Sequence, residues 1–191
     1  MTRIIAGRAG SIVLDVPDAG TRPTSDRVRE SLFGALESAE ALRGAAVLDL
    51  YAGSGALGLE AVSRGAASAD LVEKAPRAAA IAQRNADRVA KSVGRDAALR
   101  VHRTPADTFL RGAQGAFHLV FLDPPYDLGE LELAATLGLV VPHLAEGATI
   151  VIERASRSPE PTLPAELATT RSKRYGDTTL WWVQPRAASQ S

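Results

Sequence analysis

The stretch of this chain best equipped for chemistry is Asp123-Pro124-Pro125-Tyr126. It follows Phe117-His118-Leu119-Val120-Phe121-Leu122, an almost wholly apolar run with the composition of a buried parallel strand. Two consecutive prolines cannot donate to a sheet ladder, so the strand must stop there. What remains is a stiff corner at a strand's carboxyl end. It presents a carboxylate, two proline-restrained carbonyls and an aromatic ring. In open α/β sheets that edge is where ligands bind. The plain alternative is a Pro-rich turn with an exposed Asp and a packed Tyr, and the rest of the chain has to decide between them.

A second constellation precedes it: Asp49-Leu50-Tyr51-Ala52-Gly53-Ser54-Gly55-Ala56-Leu57-Gly58. Gly53, Gly55 and Gly58 satisfy the spacing of a dinucleotide-binding turn, in which ligand and backbone approach closely because no Cβ intervenes. Glu73 lies 20 positions after Gly53, where an acid that binds ribose hydroxyls is expected. Taken alone, the loop also allows nicotinamide or flavin. Asp49 argues otherwise. A carboxylate near the end of that strand repels a pyrophosphate and favours a ligand with a cationic amino group, such as the methionine half of S-adenosylmethionine; its bland role is to cap the loop's amides. Asp107, after Thr104-Pro105-Ala106, sits where a strand hands over to a helix. It is placed either to accept from an adenine amine or merely to stabilise a helix's first turn.

These residues need a scaffold. From Ala46 the chain alternates strand and helix: strands at 47–51, 69–73, 98–102, 117–122 and 148–153, with helices at 56–63, 76–91, 105–110 and within 128–144. Such alternation predicts a doubly wound, mostly parallel sheet with right-handed crossovers and helices on both faces. Residues 168–175 and 178–184 are β-rich and separated by Gly176-Asp177, which predicts an antiparallel hairpin closing one edge. Before the core, 3–16 reads as a short hairpin, 17–23 as a linker and 27–39 as a helix with apolar residues at Val28, Leu32, Phe33 and Leu36. The expected organisation is an N-terminal β-hairpin extension at 1–20, a catalytic domain at 21–185 and a frayed tail at 186–191.

Composition narrows the field. At 191 residues, with 46% hydrophobic and 23% charged residues, the chain fits one soluble globular domain. There is no cysteine, which excludes disulfides, thiolate nucleophiles and thiolate metal sites and suits a cytoplasmic protein. His102, His118 and His143 form no ligand cluster in sequence, so no metal is expected. No apolar run reaches the roughly 18 residues that cross a bilayer. Net charge is zero, with ends slightly basic and a middle slightly acidic, so no global field gathers nucleic acid.

With these residues in place, the chain resembles the class I, Rossmann-like S-adenosylmethionine-dependent methyltransferases. More narrowly, it is similar to the bacterial family that methylates the exocyclic N2 of a guanine in small-subunit (16S) ribosomal RNA. Arg22-Pro23-Thr24-Ser25-Asp26-Arg27-Val28-Arg29-Glu30-Ser31-Leu32-Phe33 resembles that family's N-terminal signature. The glycine loop with Glu60 resembles its cofactor loop, Asp123 to Tyr126 its catalytic tetrapeptide, and Lys173-Arg174-Tyr175-Gly176-Asp177-Thr178 its C-terminal hairpin. The resemblance implies a seven-stranded sheet and S-adenosylmethionine held by Asp49, Tyr51, Gly53, Ser54, Gly55, Glu73, Lys74, Asp107, Thr108 and Asp123. It implies catalysis by Asp123, Pro124, Pro125 and Tyr126: the carboxylate and the Pro124 carbonyl accept from the amine while Tyr126 stacks on an extruded base. RNA contacts are expected from Arg3, Arg8, Arg22, Thr24, Arg27, Arg29, Lys173 and Arg174. The expected partner is small-subunit rRNA within an assembling particle, the expected state a monomer without membrane contact, and the expected product S-adenosylhomocysteine.

Rival classes remain. A DNA amino-methyltransferase acting on adenine N6 or cytosine N4 shares the tetrapeptide but usually carries a sizeable target-recognition segment. A nucleotide-dependent oxidoreductase shares the glycines but not Asp49. Cytosine-C5 methylation by the usual route needs a cysteine, and Ser54 lacks the flanks of a nucleophile elbow. Removing residues 1–20 is expected to weaken RNA use more than cofactor binding.

Overall fold

The computed structural model describes residues 1–17 and 24–187. Arg22 and most of the expected linker and tail therefore lie outside the described residues. Thr2–Arg3 (β1) and Val13–Leu14 (β2) pair antiparallel as a separate two-stranded sheet. This is the expected hairpin with much shorter strands, since Gly7, with φ +84°, and Ser11, with φ +71°, take the chain through a turn-rich excursion between them. Asp26–Ser38 (α1) starts where Ser25 accepts from the Val28 amide as its N-cap.

The core alternation follows as Ala46–Leu50 (β3), Ala56–Ser63 (α2), Ser68–Val72 (β4) and Pro76–Val93 (α3). It continues as Ala98–His102 (β5), Ala106–Gly112 (α4), Phe117–Leu122 (β6), Glu130–Val140 (α5) and Leu144–Ala155 (β7). Leu167–Tyr175 (β8) and Thr178–Pro185 (β9) complete the chain's regular structure. The large sheet has seven strands in the order β5-β4-β3-β6-β7-β9-β8. The first five are parallel, and β9 pairs antiparallel with both β7 and β8. The fold is thus the Rossmann-like arrangement that the alternation predicts.

Alternation along each central strand divides the apolar residues between two cores. On one face Val47, Leu71, Leu119 and Phe121 pack with α1, α2 and α3; on the other Leu48, Leu50, Val120 and Leu122 pack with α4 and α5. Phe33 of α1 meets Phe121 of β6 with ring centroids 5.8 Å apart, so the first helix is seated directly over the strand that ends in Asp123. Strand order reverses between β3 and β6. Connections from β3 run outward to β4 and β5, then cross back to β6 and β7. A crevice at the carboxyl ends of β3 and β6 follows from that reversal.

The N-terminal hairpin packs on the core of the larger sheet. Ile4 is fully buried and Leu14 nearly so, both within the α1–α2–α3 core. Its backbone is tied down as well: Glu60 accepts from the amides of Ile5 and Ala6 at 2.7 and 3.0 Å, and Ser63 accepts from Ala9 at 2.9 Å.

Candidate active site

The crevice at the switch point is a cavity of about 340 Å³. The glycine loop forms its floor. Asp49 is the fourth residue of β3 and Asp123 follows the last residue of β6. Asp49 is paired in register with Phe121, and both Asp49 and Asp123 face the cavity. Tyr51 leaves the strand with φ +62°, a left-handed conformation rare for a non-glycine residue and common where a site constrains the backbone. Its hydroxyl lies 3.3 Å from that of Thr136 on α5. Gly58 shows why the third glycine matters. A Cβ there would sit 2.3 Å from Leu71 Cδ2 and 3.3 Å from the Asp49 carboxylate. Its bare backbone lets α2 close onto β3 and β4, and the Gly58 amide donates to Asp49 Oδ2 at 2.9 Å.

That bond realises the capping role of Asp49 without removing it from the cavity wall. The side chain is 1% exposed, and burial pushes its carboxyl up to about 7, with the nearby Glu73 charge adding and the Gly58 amide opposing. The folded-state value lies above the ordinary 3.8, so the protonated form favours the unliganded fold. That contribution is complete below about pH 4 and is lost as pH rises through about 7. A rise of that size corresponds to about 4 kcal/mol. Urea unfolding of wild type and Asp49→Asn across pH 4 to 8 checks it: wild type loses stability relative to the variant as pH climbs, and parallel profiles would show the carboxyl to be unperturbed.

Glu73 is immobilised from two sides. Its oxygens accept from the Gly53 amide at 2.9 Å and the Ala75 amide at 2.8 Å. The carboxylate sits at the end of β4 and lines the cavity, with lone pairs left for a diol. Ser54 and Lys74 also line it. Asn85 belongs to no sequence motif. It is fully buried on α3 and donates to the Ser54 carbonyl and the Asp15 carbonyl, each at 2.9 Å. One side chain therefore fixes the glycine loop to the N-terminal hairpin. The available signal was a polar residue in the apolar stripe of Ala79, Ala82, Ala86 and Val89.

On the far wall, Pro124 is buried while Pro125 and Tyr126 are exposed, Tyr126 at 61%. The corner is held at its distal end. The Leu128 amide donates to the Pro125 carbonyl at 3.0 Å, and buried Arg154 donates to the Leu128 carbonyl and pairs with Glu130. Burial raises the Asp123 carboxyl well above the ordinary carboxylate range, with the charges of Glu153 and Asp49 adding. Glu153, two residues before the end of β7, is raised by burial, which the hydrogen bond it accepts from the Thr24 hydroxyl at 2.6 Å opposes. In sequence Glu153 only closes the apolar run 148–153, and no motif marks it as a site residue.

A family model described as Conserved hypothetical protein 95 matches residues 2–184, and Ribosomal RNA small subunit methyltransferase D of Escherichia coli K12 is 39% identical over 192 residues, 99% of this chain and 92% of that one. The chain belongs to this methyltransferase D family. A solved Escherichia coli chain superposes with TM-score 0.83 at 36% identity, covering 97% of this chain and 98% of that one. Magnesium protoporphyrin IX methyltransferase of Synechocystis PCC 6803, solved with bound SAM, shares the fold alone: TM-score 0.63 at 14% identity, over 82% of this chain and 77% of that one.

Against the set of site residues that the methyltransferase D resemblance implied, the geometry is selective. Asp49, Tyr51, Gly53, Ser54, Glu73, Lys74, Asp123, Pro124, Pro125 and Tyr126 line one cavity, and Gly55 caps α2 directly beneath it with φ +82°. Asp107 and Thr108 do not line it; Thr104 and Ala106 do. The reason is helical phase: Asp107 points to solvent, where Arg111 lies 4.0 Å away one turn on.

Among the expected RNA contacts, Thr24 and Arg29 line the cavity, and Arg29 lies in its buried wall. It is 1% exposed, pairs with Asp26 at 2.7 Å and Glu60 at 3.7 Å, and donates to the Arg3 carbonyl at 2.8 Å. It braces the N-terminal hairpin instead of facing outward. Arg3, Arg8, Arg27, Lys173 and Arg174 are exposed. Arg27 and Ser31 share a face of α1 by their spacing, and Ser31 meets both Lys173, at 3.4 Å, and the Tyr175 hydroxyl, at 2.6 Å. The first helix and the last hairpin thus form one surface beside Thr24 and Tyr126. The histidines serve structure: His118 accepts from the Ala46 amide, His102 meets Asp70, and His143 meets the Leu110 carbonyl. Among the described residues no group of three acidic or histidine side chains is placed to hold a metal, and no helix is long and apolar enough to cross a membrane.

Proposed function

We propose that this chain is an S-adenosylmethionine-dependent methyltransferase that places a methyl group on the exocyclic N2 of a guanine in small-subunit rRNA. The observation that carries the reading is the meeting of two corners: the glycine loop with Asp49 and Glu73, and the Asp123 to Tyr126 corner, line one cavity at the switch point. Relatives named as small-subunit rRNA methyltransferases support the substrate class.

The cavity suits the cofactor by its donor set. Glu73 offers lone pairs for a ribose diol, Asp49 offers a carboxylate for an ammonium, and the glycine loop offers bare backbone. S-adenosylmethionine supplies an electrophilic methyl group on a sulfonium. The chain's residues prepare the nucleophile. A guanine amine is weak because its lone pair is conjugated into the ring. The Asp123 carboxylate and the Pro124 carbonyl accept its two hydrogens, orient the lone pair and stabilise the positive charge that develops on nitrogen. With the donor bound there, the amine that gains the methyl group would lose a proton, which the Asp123 carboxylate would accept and pass to solvent. Tyr126, exposed at the cavity mouth, supplies the stacking surface. Arg27, Lys173 and Arg174 hold the RNA backbone on the surface of the first helix and last hairpin, and Arg3 and Arg8 extend that contact along the N-terminal hairpin. The zero net charge suits a structured target such as an assembling small subunit, engaged by a cytoplasmic monomer.

Incubation with labelled S-adenosylmethionine and under-methylated small subunits, followed by nucleoside analysis, tests this. Labelled N2-methylguanosine is expected. Label on adenine or cytosine amines in a parallel DNA arm would favour the DNA amino-methyltransferase class. Calorimetric binding of NADH in place of S-adenosylmethionine would overturn the cofactor reading.

A further inference from the structure

We infer that Glu153 reads the target base, selecting guanine by accepting the ring N1–H beside the amine held by Asp123. The inference rests on the guanine-N2 reading above and adds the residue that would enforce it.

The placement follows from strand register. β6 and β7 run parallel with Leu122 aligned on Ile152. The next positions are Asp123 and Glu153, on neighbouring strands about 5 Å apart. Leu122 and Ile152 both enter the α4–α5 core. Alternation therefore sends Asp123 and Glu153 together to the opposite side. Their mutual charge is felt by the Asp123 carboxyl.

Glu153 is also oriented and reachable. The Thr24 hydroxyl donates to its Oε2 at 2.6 Å, which leaves Oε1 as the open acceptor. Glu153 lines a side cleft of about 60 Å³ with Thr24, Tyr126, Tyr175 and Thr178. Thr24 and Tyr126 line the main cavity too, so cleft and cavity share a wall. A base stacked on Tyr126 can place its amine at Asp123 and the adjoining ring edge at Glu153.

The chemistry of that edge is discriminating. Guanine carries two neighbouring donors, N1–H and the N2 amine. In adenine and cytosine the ring nitrogen beside the amine is an acceptor, and its lone pair would face the Glu153 carboxylate. Sites built to pair with a donor reject analogues that lack it far more strongly than apolar pockets reject a changed shape. Two carboxylates side by side thus match guanine and oppose the other amino bases.

2-Aminopurine separates the two functions, because it keeps the N2 amine but has an acceptor at N1. Small subunits are reconstituted with guanine or 2-aminopurine at the position that nucleoside analysis identifies. Wild type should favour guanine by about 10⁴-fold in kcat/KM. Glu153→Gln, whose amide can donate as well as accept, should bring that preference below about 10-fold with S-adenosylmethionine affinity unchanged by calorimetry. Thr24→Val, which frees the carboxylate, should lower the preference by a smaller factor and decides the matter if Glu153→Gln fails to bind the cofactor. A wild-type preference retained in the folded variants overturns the role of Glu153 and leaves the guanine-N2 reading standing. Absence of N2-methylguanosine from the wild-type reaction overturns that reading, and this inference with it.

Discussion

Alanine at position 123 should lower single-turnover methyl transfer by about 10²–10³-fold, the size of effect seen when one preorganised polar group aimed at a developing charge is removed. Binding of S-adenosylmethionine stays within a few-fold of wild type, because Asp49 and Glu73 remain fixed by the amides of Gly58, Gly53 and Ala75. Asp123→Asn separates two contributions. It keeps an acceptor oxygen but cannot take the proton, so it should fall between wild type and alanine. The pH dependence adds a second readout. In the proposed mechanism methyl transfer needs Asp123 ionised, and burial with the Glu153 and Asp49 charges holds its carboxyl well above the ordinary range. The acid limb of the single-turnover profile should therefore lie above the usual carboxylate region, with activity rising as pH increases through it. Unchanged turnover in Asp123→Ala would remove the residue from the mechanism; a parallel loss of cofactor affinity would recast it as a binding residue.

Element positions were legible because they depend on local pattern. The ranges at 56–63, 98–102 and 117–122 are reproduced to the residue, since each is bounded by a glycine, proline or polar break. β7 runs from Leu144 to Ala155, longer than its apolar run at 148–153, because pairing with β6 and β9 extends a ladder beyond the residues that need burial. The floor and one wall of the cavity were legible too, because glycine spacing and a Pro-Pro corner constrain backbone directly. What periodicity does not encode is which polar residue turns inward. Arg29 and Arg27 are two positions apart on the same helix, yet Arg29 is buried and Arg27 exposed. Asp107 fits the expected place in sequence but faces Arg111. Asn85 and Glu153 each sit in an apolar pattern, and only the folded register shows that they meet the glycine loop and the Asp123 corner.

Glu60→Ala should destabilise the fold by about 3–5 kcal/mol, because it removes at once the buried partner shared by two backbone amides and two buried guanidinium groups. Glu60 is fully buried and serves four groups: the Ile5 and Ala6 amides, Arg64 Nε at 2.7 Å and Arg29 at 3.7 Å. Arg29 depends on it, since its Nε and Nη1 have no hydrogen-bond partner. For a chain of this size, each kcal/mol moves the melting temperature by about 2–4 °C. A fall of about 6–20 °C is therefore expected, read by thermal or urea unfolding. Glu37→Gln provides the contrast. Glu37 pairs with the same Arg64 at 3.2 Å but is half exposed, and surface pairs are worth about 1 kcal/mol or less. The consequence reaches the site. Thr2, Val16 and Pro17 line the cofactor cavity, and Glu60 anchors the segment that carries them. Loosening that anchor should weaken S-adenosylmethionine binding, and removing residues 1–20 should weaken it too, alongside the larger expected loss of RNA use. Calorimetry on Glu60→Ala below its melting temperature checks this. Wild-type affinity in a destabilised variant would mean that the hairpin supports the core without shaping the cavity.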